Sequence, residues 1–131
     1  MGDGSPSGES AGPVRVGLVG GGKGGAALLD LLLAWPAATV AVVVDLRPEA
    51  PALVRARALG IPTGGQHLEV FAHPVDLVLE ATGDQAVLRD LLANKPASVE
   101  VVGAGSLLFF WTLLQEKART SREAEEQKSR L

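Results

Sequence analysis

The stretch Val14–Gly25, VRVGLVGGGKGG, decides the fold of this chain of 131 residues. Its first six residues are mostly apolar and β-branched, which predicts a buried strand, and the glycines after them predict a tight turn. Gly20, Gly22 and Gly25 match G-x-G-x-x-G, the fingerprint of a turn that leads from a strand into a helix and binds a pyrophosphate. The apolar run 26–32 predicts that helix.

Each glycine of this pattern has a mechanical reason. The first makes the tight turn, the second lets a pyrophosphate approach the backbone, and the third lets the helix pack close to the strand. The phosphates would bind N–H groups at the positive end of the helix dipole. Lys23 is then either a solvated loop lysine or an additional cation above the phosphates. The predicted phosphate-binding turn consists of Gly20, Gly21, Gly22, Lys23, Gly24 and Gly25.

An acidic residue follows the second predicted strand, 39–44. Asp45 lies 20 residues after Gly25, which is about the interval at which an acid binds the adenosine ribose hydroxyls. Its charge would repel a 2′-phosphate and therefore favours NAD over NADP. Arg47, two residues later, would accommodate NADP if the loop brought it round. The predicted cofactor is NAD or NADP, with a preference for NAD.

Two alternatives to a working dinucleotide site remain. Residues 17–24 nearly satisfy the P-loop pattern G-x-x-x-x-G-K-[ST], but Gly24 stands where the magnesium-binding hydroxyl is required, which disfavours an ATPase. Gly17 also fits better inside the first strand than in a loop. The other alternative is a Rossmann-type fold whose pocket has been reused or lost.

The rest of the chain alternates between predicted strands and helices. This alternation favours an α/β fold, a Rossmann-like doubly wound parallel sheet of five strands in the order 3-2-1-4-5. The predicted helices cover about 47–59, 66–72 and 85–94, and the predicted strands cover 60–63, 75–81 and 99–102.

The two ends of the chain differ in character from this central part. Residues 1–13 are polar and glycine-rich, which predicts a flexible leader before a Rossmann-like dinucleotide-binding domain at 14–114. Leu107, Phe110, Trp111 and Leu114 follow helical spacing and predict an extended C-terminal helix, through which a homodimer could form. Residues 115–131 are predicted to be a polar helical connector or tail.

Composition argues against several other classes of function. The chain has no cysteine, so disulfides and thiolate metal sites are excluded, and we expect no metal. The two histidines, His67 and His73, are expected to be ordinary exposed residues. A net charge of −3 gives no sign of nucleic-acid binding. No apolar run is long enough to cross a membrane and the start lacks a secretory signal, so we expect a cytoplasmic protein.

Four segments together resemble a known family. Residues 17–22, 44–45, 60–63 and 76–83 are similar to the N-terminal NAD(P)-binding domain of glucose-fructose oxidoreductase and of aspartate and homoserine dehydrogenases. The similarity covers roughly residues 14–105. It is greater still to the stand-alone Rossmann-like domain at the N-terminus of some bacterial histidine kinase signalling proteins, where a polar helix also follows. The resemblance implies a bound NAD(P).

The fourth predicted strand adds residues near the crevice. Glu80 at its carboxyl end could face the crevice, Thr82 could touch the nicotinamide side of a cofactor or be a turn hydroxyl, and Gly83 completes the predicted site. Lys95 precedes the fifth strand and cannot take the role of the family's catalytic lysine. No histidine, lysine or tyrosine is expected beside these residues as a proton donor.

We therefore expect no catalytic residue and a non-catalytic module that binds or senses NAD(H), as the N-terminal part of a larger signalling protein. One alternative is the N-terminal domain of an oxidoreductase, separated from its catalytic domain. The other is a degenerate Rossmann domain that serves dimerisation.

Overall fold

Strands and helices alternate along residues 12–103, the part of the chain that the computed structural model describes. The predicted C-terminal helix, the connector and most of the leader lie outside the described residues. The elements, in chain order, are β1 (Val14–Val19), α1 (Lys23–Leu33), β2 (Ala38–Val44), α2 (Pro51–Ala58), β3 (Thr63–Gly64), a 3-10 helix (His67–Ala72), β4 (Leu77–Glu80), α3 (Gln85–Asn94) and β5 (Glu100–Gly103).

The five strands form one parallel sheet in the order β3-β2-β1-β4-β5. This confirms the predicted α/β class and the strand order of a Rossmann-like sheet. Helices cover both faces: α1 and α2 pack on Leu18 and Val43 of one face, whereas the 3-10 helix and α3 pack on Val42 and Val78 of the other. Burial on both faces explains why the strands are so rich in valine and leucine.

Gly17 lies inside β1 and leaves room for the 3-10 helix. A Cβ atom on Gly17 would lie 2.5 Å from Cγ2 of Val70 and 3.1 Å from Cγ1 of Val75. The strand therefore needs a glycine here so that the 3-10 helix can pack against the sheet. Because Gly17 belongs to the strand, it does not begin a phosphate-binding loop, and the P-loop alternative loses its first glycine.

The third strand is shorter and later than the predicted strand at 60–63. Gly60 has φ +77° and ends α2, and the N–H of Ile61 donates to the carbonyl of Ala56 at 2.8 Å. These two residues therefore belong to the end of the helix. Pairing with β2 begins only where the carbonyl of Pro62 accepts the N–H of Val43, and β3 itself is Thr63–Gly64.

An ion pair joins β1 to the residue before β4 at the amino edge of the sheet. The guanidinium of Arg15 donates to Oδ1 of Asp76 at 2.9 Å, and the backbone N–H of Arg15 donates to Oδ2 at 2.9 Å. The side-chain hydrogen bond, followed by the backbone one, holds the pKa of Asp76 at about 2. Asp76 therefore lies away from the glycine turn, at the opposite edge of the sheet.

Candidate functional site

A cleft of about 160 Å³ opens at the carboxyl edge of the sheet, where β1, β2 and β4 end. From β1 the chain continues to β2 and β3 on one side of that strand, and β4 and β5 lie on its other side, so the strand order reverses beside β1. Open α/β sheets bind ligands at such a switch point. Four predicted residues, Gly20, Asp45, Arg47 and Thr82, line the cleft together with Val19, Val44, Leu46, His67 and Val87.

Two glycines of the turn are required by the backbone itself. Gly20 has φ +108°, and a Cβ there would lie 2.8 Å from the carbonyl carbon of Ala81 and from the backbone nitrogen of Thr82. A Cβ on Gly25 would lie 1.8 Å from the carbonyl oxygen of Gly20. The first and third glycines of the motif therefore have the turn-forming and close-packing roles that the pattern predicts.

Gly22 is different, because neither its conformation nor its packing requires a glycine. It precedes the first residue of α1 with φ −72° and ψ −159°, which is ordinary extended backbone. Among residues 12–103, and apart from the chain neighbours of Gly22, the one atom within 4 Å of a Cβ placed on it is Nη2 of Arg47 at 3.3 Å, which ends a flexible side chain. The fold would therefore accept a side chain here. A glycine at this position needs an explanation other than backbone conformation or packing.

The N-terminus of α1 also lacks the usual neutralising groups. No side chain accepts a hydrogen bond from its first N–H groups within the described part of the chain, and its first turn holds no acid. The turn begins instead with the exposed Lys23, followed by Gly24, where an added Cβ would meet no atom within 4 Å. Acidic groups are favoured at a helix N-terminus, so a lysine there leaves a positive and accessible end.

Asp45 joins the end of β2 to the glycine turn. Its Oδ2 accepts the N–H of Gly21 at 2.5 Å, and its Oδ1 accepts the N–H of Arg47 at 2.8 Å and Nε of Arg47 at 3.2 Å. Burial opposes ionisation of this carboxyl, but the hydrogen bonds from Arg47 and Gly21 outweigh it, so the pKa of Asp45 is lowered. Asp45 thus presents a carboxylate to the cleft, and its two oxygens already accept four hydrogen bonds, two of them from the exposed guanidinium of Arg47.

Arg47 brings a cation to the same place. Its side chain is 59% exposed, pairs with Asp45 and reaches the space beside Gly22. The sequence analysis predicted Asp45 and Arg47 as separate candidates for two different cofactors. The structure places them in one ion pair, so a ligand phosphate near Arg47 would also meet the negative charge of Asp45.

The β4–α3 turn, residues 81–84, is held by its own side chains. Glu80 is 3% exposed, and its Oε2 accepts the N–H of Thr82 at 2.7 Å, the N–H of Gly83 at 3.0 Å and the Thr82 hydroxyl. That hydroxyl in turn accepts the N–H of Asp84 at 3.0 Å. Both functions of the Thr82 hydroxyl are therefore used within the turn. A contact of Thr82 or Gly83 with a cofactor stays a prediction.

His67 is the residue that the sequence analysis placed wrongly. It was expected to be an ordinary exposed histidine, but its side chain is only 26% exposed and lines the cleft. Its Nε2 lies 2.9 Å from Oδ2 of Asp90 on α3. One signal was available: His67 comes three residues after β3 ends, and the carboxyl edge of a parallel sheet is where ligands bind.

Comparison with known proteins adds no family assignment. No protein-family model matches the chain, and no curated protein matches it with significance. Across residues 12–103, no helix is long and apolar enough to cross a membrane. Over the same residues, no three histidine or acidic side chains come together as ligands for a metal ion.

Proposed function

We propose that this domain is a non-catalytic module that binds or senses a dinucleotide of the NAD(H) type, within a larger signalling protein. The observation that carries the proposal is Gly22. Its two partner glycines are explained by the fold, whereas the space above Gly22 is explained by a ligand that approaches the backbone.

The phosphates would lie at the start of α1. The first N–H groups of a helix bind an anion well, because they lack intrahelical partners and stand at the positive end of the dipole. Lys23 in the first turn supplies one cation within reach of this position, and the Arg47 guanidinium beside Gly22 is a second, whose charge Asp45 partly neutralises. The pyrophosphate is the part of a dinucleotide that these groups fit.

The adenosine ribose would lie against Asp45. The lowered pKa keeps this carboxyl ionised, so it would accept a ribose hydroxyl in place of one of its hydrogen bonds from the Arg47 guanidinium and would repel a 2′-phosphate. Arg47, the cation that would bind the 2′-phosphate of NADP, is paired with Asp45, which partly neutralises its charge. NAD(H) is therefore preferred to NADP(H), and the adenine would enter the adjoining cleft.

The proposal is tested by titrating the full chain with NAD, NADH, NADP, NADPH and ATP and following its melting temperature. We expect stabilisation by NAD and NADH that follows RT ln(1 + [L]/Kd), about 2.7 kcal/mol at a hundredfold excess of ligand over Kd. In Gly22→Asp this stabilisation is lost, because the new carboxylate caps α1 and repels phosphate.

The matched control is Gly12→Asp, the same change at an exposed glycine whose Cβ position has no atom of the described residues within 4 Å, its chain neighbours aside. It is expected to bind like the wild type. A flat response of the wild type to every nucleotide would overturn the proposal and leave the dimerisation alternative, which predicts a mass that depends on concentration. Oxidation of NADH with a small aldehyde or keto acid would instead support the oxidoreductase alternative.

A further inference from the structure

The walls of the cleft suggest which part of a ligand it holds. Val19, Val44, Leu46 and Val87 make most of its lining apolar, and Leu46 is 70% exposed at its rim. A flat apolar group fits such walls, and the base of a nucleotide is a flat group that carries hydrogen-bonding atoms only on its edges. Among the polar residues of the lining, Asp45 and Arg47 pair with each other and Thr82 bonds within its own turn.

His67 is the remaining polar residue of the lining, and Asp90 determines which of its nitrogens carries the proton. A carboxylate only accepts hydrogen bonds, so a neutral imidazole must donate Nε2–H to Oδ2 of Asp90. In that tautomer Nδ1 has a lone pair and no proton. The hydrogen bond on one side of the ring thus makes the other nitrogen an acceptor.

We infer that His67, oriented by Asp90, reads the base of the bound nucleotide and selects adenine through its exocyclic amino group. The amino group is a donor and matches an acceptor at Nδ1. A carbonyl at the same ring position, as in hypoxanthine, presents a lone pair to a lone pair. This inference rests on the proposed function, since it assigns the base specificity of the same ligand site.

Among the described residues, the other charged groups near His67 are paired elsewhere and do not bond to its ring. The 3-10 helix packs against β1, β2, β3 and α3. From these elements, Asp90 is the charged group in contact with the ring, whereas Asp45 and Arg47 line the same cleft and are paired with each other. Glu69, on the 3-10 helix itself, accepts the N–H groups of Gly65 and Gln66. Asp90 is therefore the positioning residue for the His67 ring.

The test compares Kd for NAD and for nicotinamide hypoxanthine dinucleotide by calorimetry, with the full chain in mildly alkaline buffer. We expect the wild type to prefer NAD by about tenfold, the effect of about one hydrogen bond. In Asp90→Leu the carboxylate that holds the proton on Nε2 is gone, so either ring nitrogen can carry it and the preference falls. His67→Phe keeps a ring of similar size and loses the preference.

The control is His73→Phe, which changes the histidine that does not line the cleft and keeps the tenfold preference. The readout is a ratio of two affinities, which a general loss of stability does not move. Equal binding of both dinucleotides by the wild type, or an unchanged preference in Asp90→Leu, would overturn the inference and leave the proposed function standing. Failure of the wild type to bind either dinucleotide would overturn both.

Discussion

Two turns at the same edge of the sheet lead from a strand into a helix, and they are held in opposite ways. The β4–α3 turn uses nearby side chains: Glu80 binds two backbone N–H groups and Asp84 caps α3 by accepting the N–H of Ala86 at 2.9 Å. The β1–α1 turn, residues 20–22, uses Asp45 from the end of β2, which holds one N–H of the turn. Within the described chain, α1 itself has no side-chain cap.

The difference shows which helix end is available to a ligand. Orphan N–H groups at the start of a helix need partners, and α3 obtains one from its own sequence. α1 begins instead with glycine and lysine, so its N–H groups are left for solvent or an anion. Three substitutions or conditions test this contrast, from the largest expected effect to the smallest.

The largest effect is expected from Gly25→Ala. The new methyl group would lie 1.8 Å from the carbonyl oxygen of Gly20. Because that oxygen belongs to the backbone, either the helix or the turn would have to move. We expect a loss of more than about 3 kcal/mol in the free energy of unfolding, measured by urea denaturation followed by circular dichroism. Gly24→Ala, one residue earlier and in open space, should gain up to about 1 kcal/mol from helix propensity.

These paired substitutions test the close approach of α1 to the β1–α1 turn. If the two variants have the same free energy of unfolding, then α1 does not approach the first turn as closely as the structure shows. The phosphate-binding role of Gly22 would then lose its structural frame as well.

The second effect comes from Glu80→Ala in the other turn. It removes the buried oxygen that accepts from Thr82 and Gly83, and we expect a loss of about 2–3 kcal/mol in the same urea denaturation, because hydrogen bonds to a charged group are the stronger ones. Glu80→Gln keeps an acceptor oxygen in that place and should lose clearly less. Equal losses in both variants would mean that an acceptor oxygen at position 80 is not what holds the turn.

The smallest effect is the acid response of the first turn. Because the pKa of Asp45 is lowered in the folded state, its contribution to stability is present above the unfolded pKa and is lost as the pH falls below about 4. We expect the wild type to lose about 1 kcal/mol more than Asp45→Asn between neutral and acidic pH, the size of one hydrogen bond. A variant that loses stability in acid as steeply as the wild type would show that Asp45 does not hold the turn in its ionised form.

Local patterns predicted most of the elements. The helix predicted at 85–94 is α3 with the same bounds, and Asp84 caps it. Errors occur where a tertiary contact outweighs the local pattern. Ile61 was predicted to belong to the third strand, but its N–H donates to the carbonyl of Ala56 at the end of α2. The helix predicted at 66–72 is present as the 3-10 helix, but the place of His67 in the cleft follows only once the sheet and α3 lie beside it.

The sequence by itself determined the order of strands and helices, the parallel sheet, and the position of the glycine turn. These follow from apolar periodicity and from glycines at a spacing that one turn and one helix dictate. Only the tertiary structure decided that Asp45 and Arg47 form one pair over Gly22, and that His67 and Asp90 meet at the cleft. The reason is distance along the chain. Asp45 and Arg47 are neighbours, but Asp45 is 24 residues from Gly21, which it meets only because β2 lies beside β1. His67 and Asp90 are 23 residues apart, and the packing of the 3-10 helix against α3 brings them together.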